Sequence, residues 1–106
     1  MRMWMVNPRI MCDQHLIGEH VELHMIVGAL RKGKKLTGFV NLIEVGSLNE
    51  RHEALANEME RRGKTHESPL VSVYEPFGMV DRAKSLRDLV ERCEACAERA
   101  RWEGEI

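Results

Sequence analysis

Three stretches of this chain carry apolar residues at spacings of three and four, and this helical period limits the possible folds more than any other feature. The first stretch runs from about Cys12 to Leu30, where Leu16, Leu23 and Val27 fall on one helix face. Asp13 is its predicted N-cap, because a side-chain oxygen there can accept a hydrogen bond from a free backbone amide. Helix-forming residues are abundant and β-branched residues few, which favours the same conclusion.

The second and third stretches also predict helices. The second begins at a predicted capping box, Ser47 to Glu50, in which the serine and glutamate side chains each bond the other's backbone amide. It is expected to end at Gly63, because a helix often closes on a residue in the left-handed conformation. The third helix is predicted from about Val80 to Arg101, with Cys93 on its apolar stripe.

The segments between these helices are expected to be connectors. Residues 33–47 contain three glycines, and residues 64–79 contain two prolines and a glycine. The second connector is predicted to be extended, with Val71 and Val73 alternating. The sequence therefore predicts an all-α fold, a compact single domain over residues 1–106 with three main helices and long connecting loops.

Composition excludes several classes of protein. No apolar run approaches the ~18 residues of a membrane span, and the first residues are too short for a signal-peptide core. Three cysteines without a secretory signal indicate free thiols in a reducing compartment. The sequence thus predicts a cytoplasmic protein with no membrane partner.

Two spacings suit metal ligands, although neither is completed by the sequence. His20 and His24 lie four apart on one helix face, but no third ligand is fixed by spacing, so surface histidines are expected. Cys93 and Cys96 form a lone Cys-x-x-Cys, whereas a zinc ribbon needs a second pair. Both cysteines are expected inside the third helix on its apolar side, as small core residues. The sequence therefore predicts no metal and no cofactor.

A charged stripe borders the apolar face of the first helix. His15, Glu19 and Glu22 fall on it at spacings of four and three, together with Ile26. Two carboxylates and an imidazole beside a core favour perturbed pKa values, which are typical of functional sites. The alternative is that Glu19 or Glu22 caps a neighbouring segment or pairs with an arginine.

A basic loop follows the first helix. The formal net charge of the chain is −1, but residues 1–38 carry six Lys or Arg against three Asp or Glu. Four of these cations stand together in the string Arg31-Lys32-Gly33-Lys34-Lys35. The loop either concentrates a positive face for a polyanion or is a solvated turn.

The string Asp13-Gln14-His15-Leu16, followed by Glu19 and Glu22-Leu23, resembles the first-helix signature of the pyrimidine-dimer DNA glycosylases of the phage endonuclease V type. The similarity continues through Val27-Gly28-Ala29 and Arg31-Lys32 and reappears in the helix that ends at Gly63. The resemblance implies a compact all-α DNA-repair enzyme, a DNA glycosylase that also cleaves the strand as an AP lyase. Its partner would be double-stranded DNA with a damaged or modified base.

The resemblance also implies a site. Members of this family attack the sugar with the α-amine of their first residue and form an imine, a Schiff base, with it. Met1 falls on that nucleophile and Glu22 on the catalytic glutamate, and Met1 is expected within one water of Glu22. An α-amine has a pKa of ~7.7–8, so a useful neutral fraction exists near pH 7. The residues expected to contact substrate or DNA are Arg2, Gln14, His15, Glu19, Arg31, Lys32, Lys34 and Lys35.

Two positions depart from the family pattern. Val21 and Met25 stand where the phage enzyme has arginines, which bears on its preference for pyrimidine dimers. The same site acting on another modified base or on abasic sites is therefore an alternative. A non-catalytic nucleic-acid-binding module and a structural or metal-binding helical protein are further alternatives.

Overall fold

A computed structural model of the protein describes residues 1–66 and 68–106. The described residues form four α-helices and no strand, so the predicted all-α class is confirmed. The helices are α1 (Asp13–Arg31), α2 (Leu48–Arg61), α3 (Arg82–Arg92) and α4 (Glu94–Trp102), and short 3-10 turns cover Pro8–Ile10, Thr37–Phe39 and Val45–Ser47. None of the described helices combines the length and the apolar character needed to cross a membrane.

The prediction of three main helices is wrong, because the third stretch divides into α3 and α4 at Cys93. That residue has extended backbone angles, φ −135° and ψ 107°, which no helix can accommodate. Its Sγ accepts a hydrogen bond from the amide of Cys96 at 3.4 Å, so Cys93 is the N-cap of α4. The two helices preserve a common apolar period, and a break of one residue leaves little trace in such a pattern.

The start of α1 also differs from its prediction. The N-cap is Cys12, whose Sγ accepts from the amide of His15 at 3.5 Å, and Asp13 is the first helical residue. Asp13 still favours the helix, since a carboxylate in the first turn faces the positive end of the helix dipole. Because Cys12 rather than Asp13 is the N-cap, the Cys12 thiol lies at the start of α1.

The ends of α2 combine a wrong and a confirmed prediction. Ser47 is the N-cap, but its side chain makes no capping hydrogen bond, so the capping box with Glu50 does not form. The Ser47 hydroxyl instead donates to Glu44 Oε2 at 2.5 Å. At the other end, Gly63 has φ +79°, the predicted left-handed closure.

The core lies between α1 and α2 and extends to α4. Its fully buried leucines come from α1 (Leu16 and Leu23), α2 (Leu48 and Leu55) and α3 (Leu89). Each contributes about 1.5–3 kcal/mol when it leaves water. This packing fixes α1 between the N-terminal segment and α2, which determines what faces the solvent beside it.

A buried ion pair anchors the N-terminal segment to both long helices. Arg51 of α2 donates from Nε to Glu19 Oε2 at 2.6 Å and from Nη2 to Oε1 at 2.9 Å. The same guanidinium donates to the Val6 carbonyl at 2.6 Å, and the Trp4 amide donates to Glu19 Oε1 at 3.0 Å. Because every polar contact is between buried or half-buried groups, the segment before α1 is held in a defined position.

The connector between α2 and α3 contains no helix or strand among its described residues. Val71 and Val73 are exposed, whereas Leu70 and Tyr74 are half-buried against the core, so the alternation occurs with the valines outward. The end of the connector docks on the loop before α2 through the Val45 amide and the Phe77 carbonyl, 2.8 Å apart.

Candidate active site

A cleft of about 340 Å³ opens beside the N-terminal half of α1. The helical period places successive α1 side chains on one wall, and the anchored N-terminal segment forms the opposite wall. The lining residues are Arg2, Trp4, Gln14, His15, Gly18, Glu19 and Glu22. Five residues that the sequence predicted for the site therefore share this cleft: Arg2, Gln14, His15, Glu19 and Glu22.

Glu22 lines this cleft and has one carboxylate oxygen without a hydrogen-bond partner among the described residues. Its side chain is half-buried, and this oxygen, Oε2, is shielded from solvent. A buried oxygen without a partner costs about 1–3 kcal/mol, and more when it is charged. Such a group is typical of a site that acts on a ligand, because the ligand supplies the missing contact.

Glu19 behaves differently, although it lines the same cleft. It is 2% exposed, and both its oxygens are engaged by Arg51 and the Trp4 amide. This geometry corresponds to the alternative of pairing with an arginine. Glu19 therefore positions the wall of the cleft, and its carboxylate has no free oxygen for a ligand.

Arg2 stands between this cleft and a second one. Its Nη2 donates to Asp88 Oδ2 at 3.1 Å, and its Cζ lies 3.8 Å from the centroid of the Trp4 ring. The second cleft, about 360 Å³, lies on the other side of Arg2 and is lined by residues of α3 including Lys84. Arg2 and Lys84 hold the pKa of Asp88 below its usual range. Arg2 Nε is buried without a partner in the described part of the chain, so this guanidinium retains a donor.

Met1 and the basic loop lie outside the lining of the first cleft. Met1 is half-buried and packs against the core, next to the cleft residue Arg2. The distance from its α-amine to Glu22 stays a prediction. The cations of the loop, Arg31, Lys32, Lys34 and Lys35, are all exposed, and no salt bridge within the described residues engages them.

Four side chains of the types that bind metals lie close together, and one of them, His15, also lines the cleft. We call them the thiol cluster: Cys12, His15, Cys93 and Cys96. The expectation that Cys93 and Cys96 lie inside one helix is wrong, because Cys93 ends α3. Burial raises the pKa of Cys96 to about 12. Burial acts to raise the pKa of Cys93 as well, but hydrogen bonds, first that from the Cys96 amide, outweigh it and lower this pKa. The spacing Cys12-x-x-His15 was the overlooked second pair.

A second group, the histidine cluster, joins α1, α2 and the connector: His20, His52 and His66. The Nε2 atom of His20 lies 3.1 Å from that of His52 and 2.9 Å from that of His66. Burial and the neighbouring imidazoles lower the pKa of His20 to about 4, and burial lowers that of His52. The expectation of surface histidines is wrong for His20, which is buried.

Comparison with known proteins gives one match. A family model described as pyrimidine dimer DNA glycosylase matches residues 1–71 of the chain. No curated protein and no solved structure matches it. The matched residues include α1, α2 and every residue that lines the first cleft, whereas Cys93 and Cys96 follow the matched range.

Proposed function

Because the chain belongs to the pyrimidine dimer DNA glycosylase family, we propose that it is a DNA-repair glycosylase with AP lyase activity. Its substrates are damaged or modified pyrimidines in double-stranded DNA. The observation that carries this proposal is the cleft that Glu22, which has a carboxylate oxygen without a hydrogen-bond partner, lines together with Arg2, Gln14 and His15. A carboxylate without a protein partner, next to a cation, suits a reaction that develops positive charge on a sugar attached to a phosphate.

The proposed reaction begins at the α-amine of Met1. The neutral amine attacks C1′ of the sugar, the bond from C1′ to the base breaks, and the base leaves with that electron pair and is protonated. The sugar ring then opens to an imine between the Met1 nitrogen and C1′. Glu22 stabilises the positive charge that develops at C1′ while the base departs.

The second half of the reaction cleaves the strand. The imine acidifies the C2′ hydrogen, and Glu22 accepts that proton as a general base. The electron pair forms the C2′–C3′ double bond, and the 3′ phosphate leaves. Water then hydrolyses the imine and regenerates the amine.

The other residues of the cleft bind and orient the DNA in this proposal. Arg2 supplies a cation for a phosphate, since Asp88 engages only one of its guanidinium nitrogens, Nη2. Gln14 is exposed at the rim of the cleft and has both donor and acceptor atoms for a base edge. The exposed cations after α1 are suited to phosphates further along the duplex.

A second candidate keeps this site and changes the lesion. Val21 and Met25 are each about half exposed on α1, and both flank Glu22 in sequence. Where the resemblance leads us to expect arginines, these apolar side chains remove two contacts to phosphate or base. Activity on a modified base other than a pyrimidine dimer, or on abasic sites alone, fits this surface.

Trapping with borohydride tests the proposal and separates the two candidates. Oligonucleotide duplexes carry a pyrimidine dimer, an abasic site or no lesion, and borohydride reduces any imine to a permanent bond. We expect the protein to attach to damaged strands through Met1, and acetylation of the α-amine to abolish attachment. Trapping on the abasic strand alone favours the second candidate.

Variants complete this experiment. Glu22→Gln removes the charge and keeps the shape, so strand cleavage should fall by about 10²–10⁴-fold. Glu60→Gln, at an exposed position on α2, is the matched control and should cleave as wild type does. If the blocked protein and Glu22→Gln both cleave normally, the site is wrong, and a lysine-based lyase replaces it. If the wild type binds the duplexes but neither cleaves nor is trapped, a non-catalytic binding module replaces the enzyme.

A further inference from the structure

The three cysteines of the thiol cluster take no part in the proposed reaction, yet with His15 they have the geometry of a metal site. Cys12 Sγ lies 3.2 Å from His15 Nδ1 and 3.9 Å from Cys93 Sγ. Cys96 Sγ lies 3.6 Å from His15 Nδ1, and all four atoms are within 4.8 Å of one another. Around a tetrahedral zinc ion with ordinary bond lengths, two sulfurs are about 3.8 Å apart and a sulfur and a nitrogen about 3.6 Å. We propose that Cys12, His15, Cys93 and Cys96 bind a structural zinc ion.

Backbone amides donate to all three sulfurs of the cluster, as they do to metal-bound thiolates. The amide of Cys12 donates to Cys96 Sγ at 3.2 Å, and that of Cys96 donates to Cys93 Sγ at 3.4 Å. The amide of His15 donates to Cys12 Sγ at 3.5 Å. Each pair, Cys-x-x-His and Cys-x-x-Cys, lies at the start of a helix, where the dipole favours negative charge.

The alternative use of these cysteines is a disulfide. A disulfide requires sulfurs about 2.05 Å apart, whereas the Cys12 and Cys93 sulfurs are 3.9 Å apart. A disulfide would also leave the His15 nitrogen without a role among the sulfurs. Four protein ligands close a tetrahedral site, so the ion is structural. It joins the starts of α1 and α4, and because His15 also lines the cleft, it fixes that wall.

Metal content and thiol reactivity of the full chain, purified without chelator, test this site. All three cysteines of the chain are in the cluster, so the thiol count reports on it alone. We expect bound zinc and three thiols that resist a thiol reagent in the native protein and all react after denaturation with chelator. Fewer than three reactive thiols after denaturation would indicate a disulfide, and three reactive thiols in native, zinc-saturated protein would exclude the site.

Cobalt gives a readout that needs no variant. Co²⁺ added to the metal-free chain should produce an intense thiolate-to-cobalt charge-transfer absorption, and its absence would overturn the proposal. Cys93→Ser, at a half-buried position, should weaken that absorption while the helical circular dichroism is retained. If this variant does not fold, the wild-type cobalt spectrum and thiol count still decide.

The histidine cluster independently points to a second metal site. The three Nε2 atoms are 2.9–3.4 Å apart, close to the about 3.4 Å between nitrogens bound to one zinc ion. Each neutral Nε2 either donates or accepts, so three converging nitrogens cannot satisfy one another well, whereas three lone pairs aimed at one point suit a cation. We infer that His20, His52 and His66 bind one divalent transition-metal ion of the kind that imidazoles prefer.

A neighbouring histidine strengthens this inference. The His24 ring lies 4.9 Å from that of His20 and 5.2 Å from that of His52, centroid to centroid. Its Nε2 is buried without a partner among the described residues.

The three ligands His20, His52 and His66 leave an open coordination position on a tetrahedral ion, which distinguishes this site from the closed thiol cluster.

The two sites serve as controls for each other. Zinc-saturated wild type should contain two zinc ions per chain. His52→Asn should lose one of them, while the three thiols still resist the thiol reagent. Cys93→Ser should keep the zinc ion that His52→Asn loses. The histidine site is excluded if His52→Asn folds and keeps the wild-type zinc content. It is also excluded if the wild type binds only one zinc ion per chain, the ion that protects the thiols.

Discussion

Gly78 is the residue at which the backbone itself dictates the amino acid. It has φ +80°, a backbone conformation that residues other than glycine rarely adopt. A Cβ atom there would lie 2.3 Å from the Ile43 carbonyl oxygen and 3.0 Å from that of Val40. The close approach follows from the docking of the connector, in which the Met79 amide donates to the Val40 carbonyl at 3.0 Å.

We therefore expect Gly78→Ala to lower the free energy of unfolding by about 2–5 kcal/mol, from backbone strain and overpacking together. Gly33→Ala is the matched control, because Gly33 has φ +72° but open space around its Cβ position. It should cost only the strain, about 1–2 kcal/mol. Urea denaturation measures both, and equal losses would contradict the steric contact with Ile43.

The carboxylates of α1 show what the sequence predicts about single residues. The helical period correctly placed Glu19 and Glu22 on one stripe with His15, since it depends only on local geometry. Which carboxylate is free depends on Arg51, which is 32 positions from Glu19. No local pattern locates such a partner, so periodicity alone leaves the two carboxylates equivalent, and at the level of sequence only the family resemblance distinguishes Glu22.

Helices were predictable to different degrees. The centres of α1 and α2 follow from periodicity, and the closure of α2 at Gly63 follows from the rarity of its conformation in other residues. The division of the third helix does not, because Cys93 is an ordinary helix-compatible residue by propensity. Contacts of its sulfur with Cys12, 81 positions away, and with the Cys96 amide set its conformation apart.

The loop after α1 gives a prediction for DNA binding. Replacing Lys34 and Lys35 with alanine should weaken binding to all duplexes and lower the slope of log affinity against log salt by about 1.8, because two phosphate contacts are lost. Both side chains are exposed, so the fold should be unaffected. Arg87→Ala removes an exposed cation from α3 and is the charge control. A slope unchanged by the double replacement would show that the loop is a solvated turn.

For the molecule as a whole, the two metal-ligating clusters mark the limit of sequence interpretation. Cys12-x-x-His15 and Cys93-x-x-Cys96 stand at opposite ends of the chain, and His20 and His52 are on different helices. Spacing rules recognise ligands that are close in sequence, whereas these ligands converge only after the helices pack. The same packing buries His20, which the sequence had left at the surface.

The acid stability of the molecule should depend strongly on Glu58. Arg61 and Arg62 of the same helix end donate to its carboxylate and hold its pKa at about 2. In the unfolded chain this pKa is near its ordinary value of 4.5. A depressed pKa in the folded state stabilises the protein above the unfolded pKa, and this stabilisation is lost as the pH falls from about 4.5 to 2.

We therefore expect the midpoint of urea unfolding to fall between pH 5 and pH 3 in wild type, and to fall less steeply in Glu58→Gln, which has no carboxylate to protonate. Glu58→Gln should also be less stable than wild type at pH 7, because a neutral amide leaves Arg62, itself half-buried, with only the exposed Asp13 as a charged partner. Glu60→Gln, two positions along α2 and exposed, should keep the wild-type pH dependence. A Glu58→Gln curve parallel to that of wild type would mean that other carboxylates, such as Glu44 with its own lowered pKa, set the acid response.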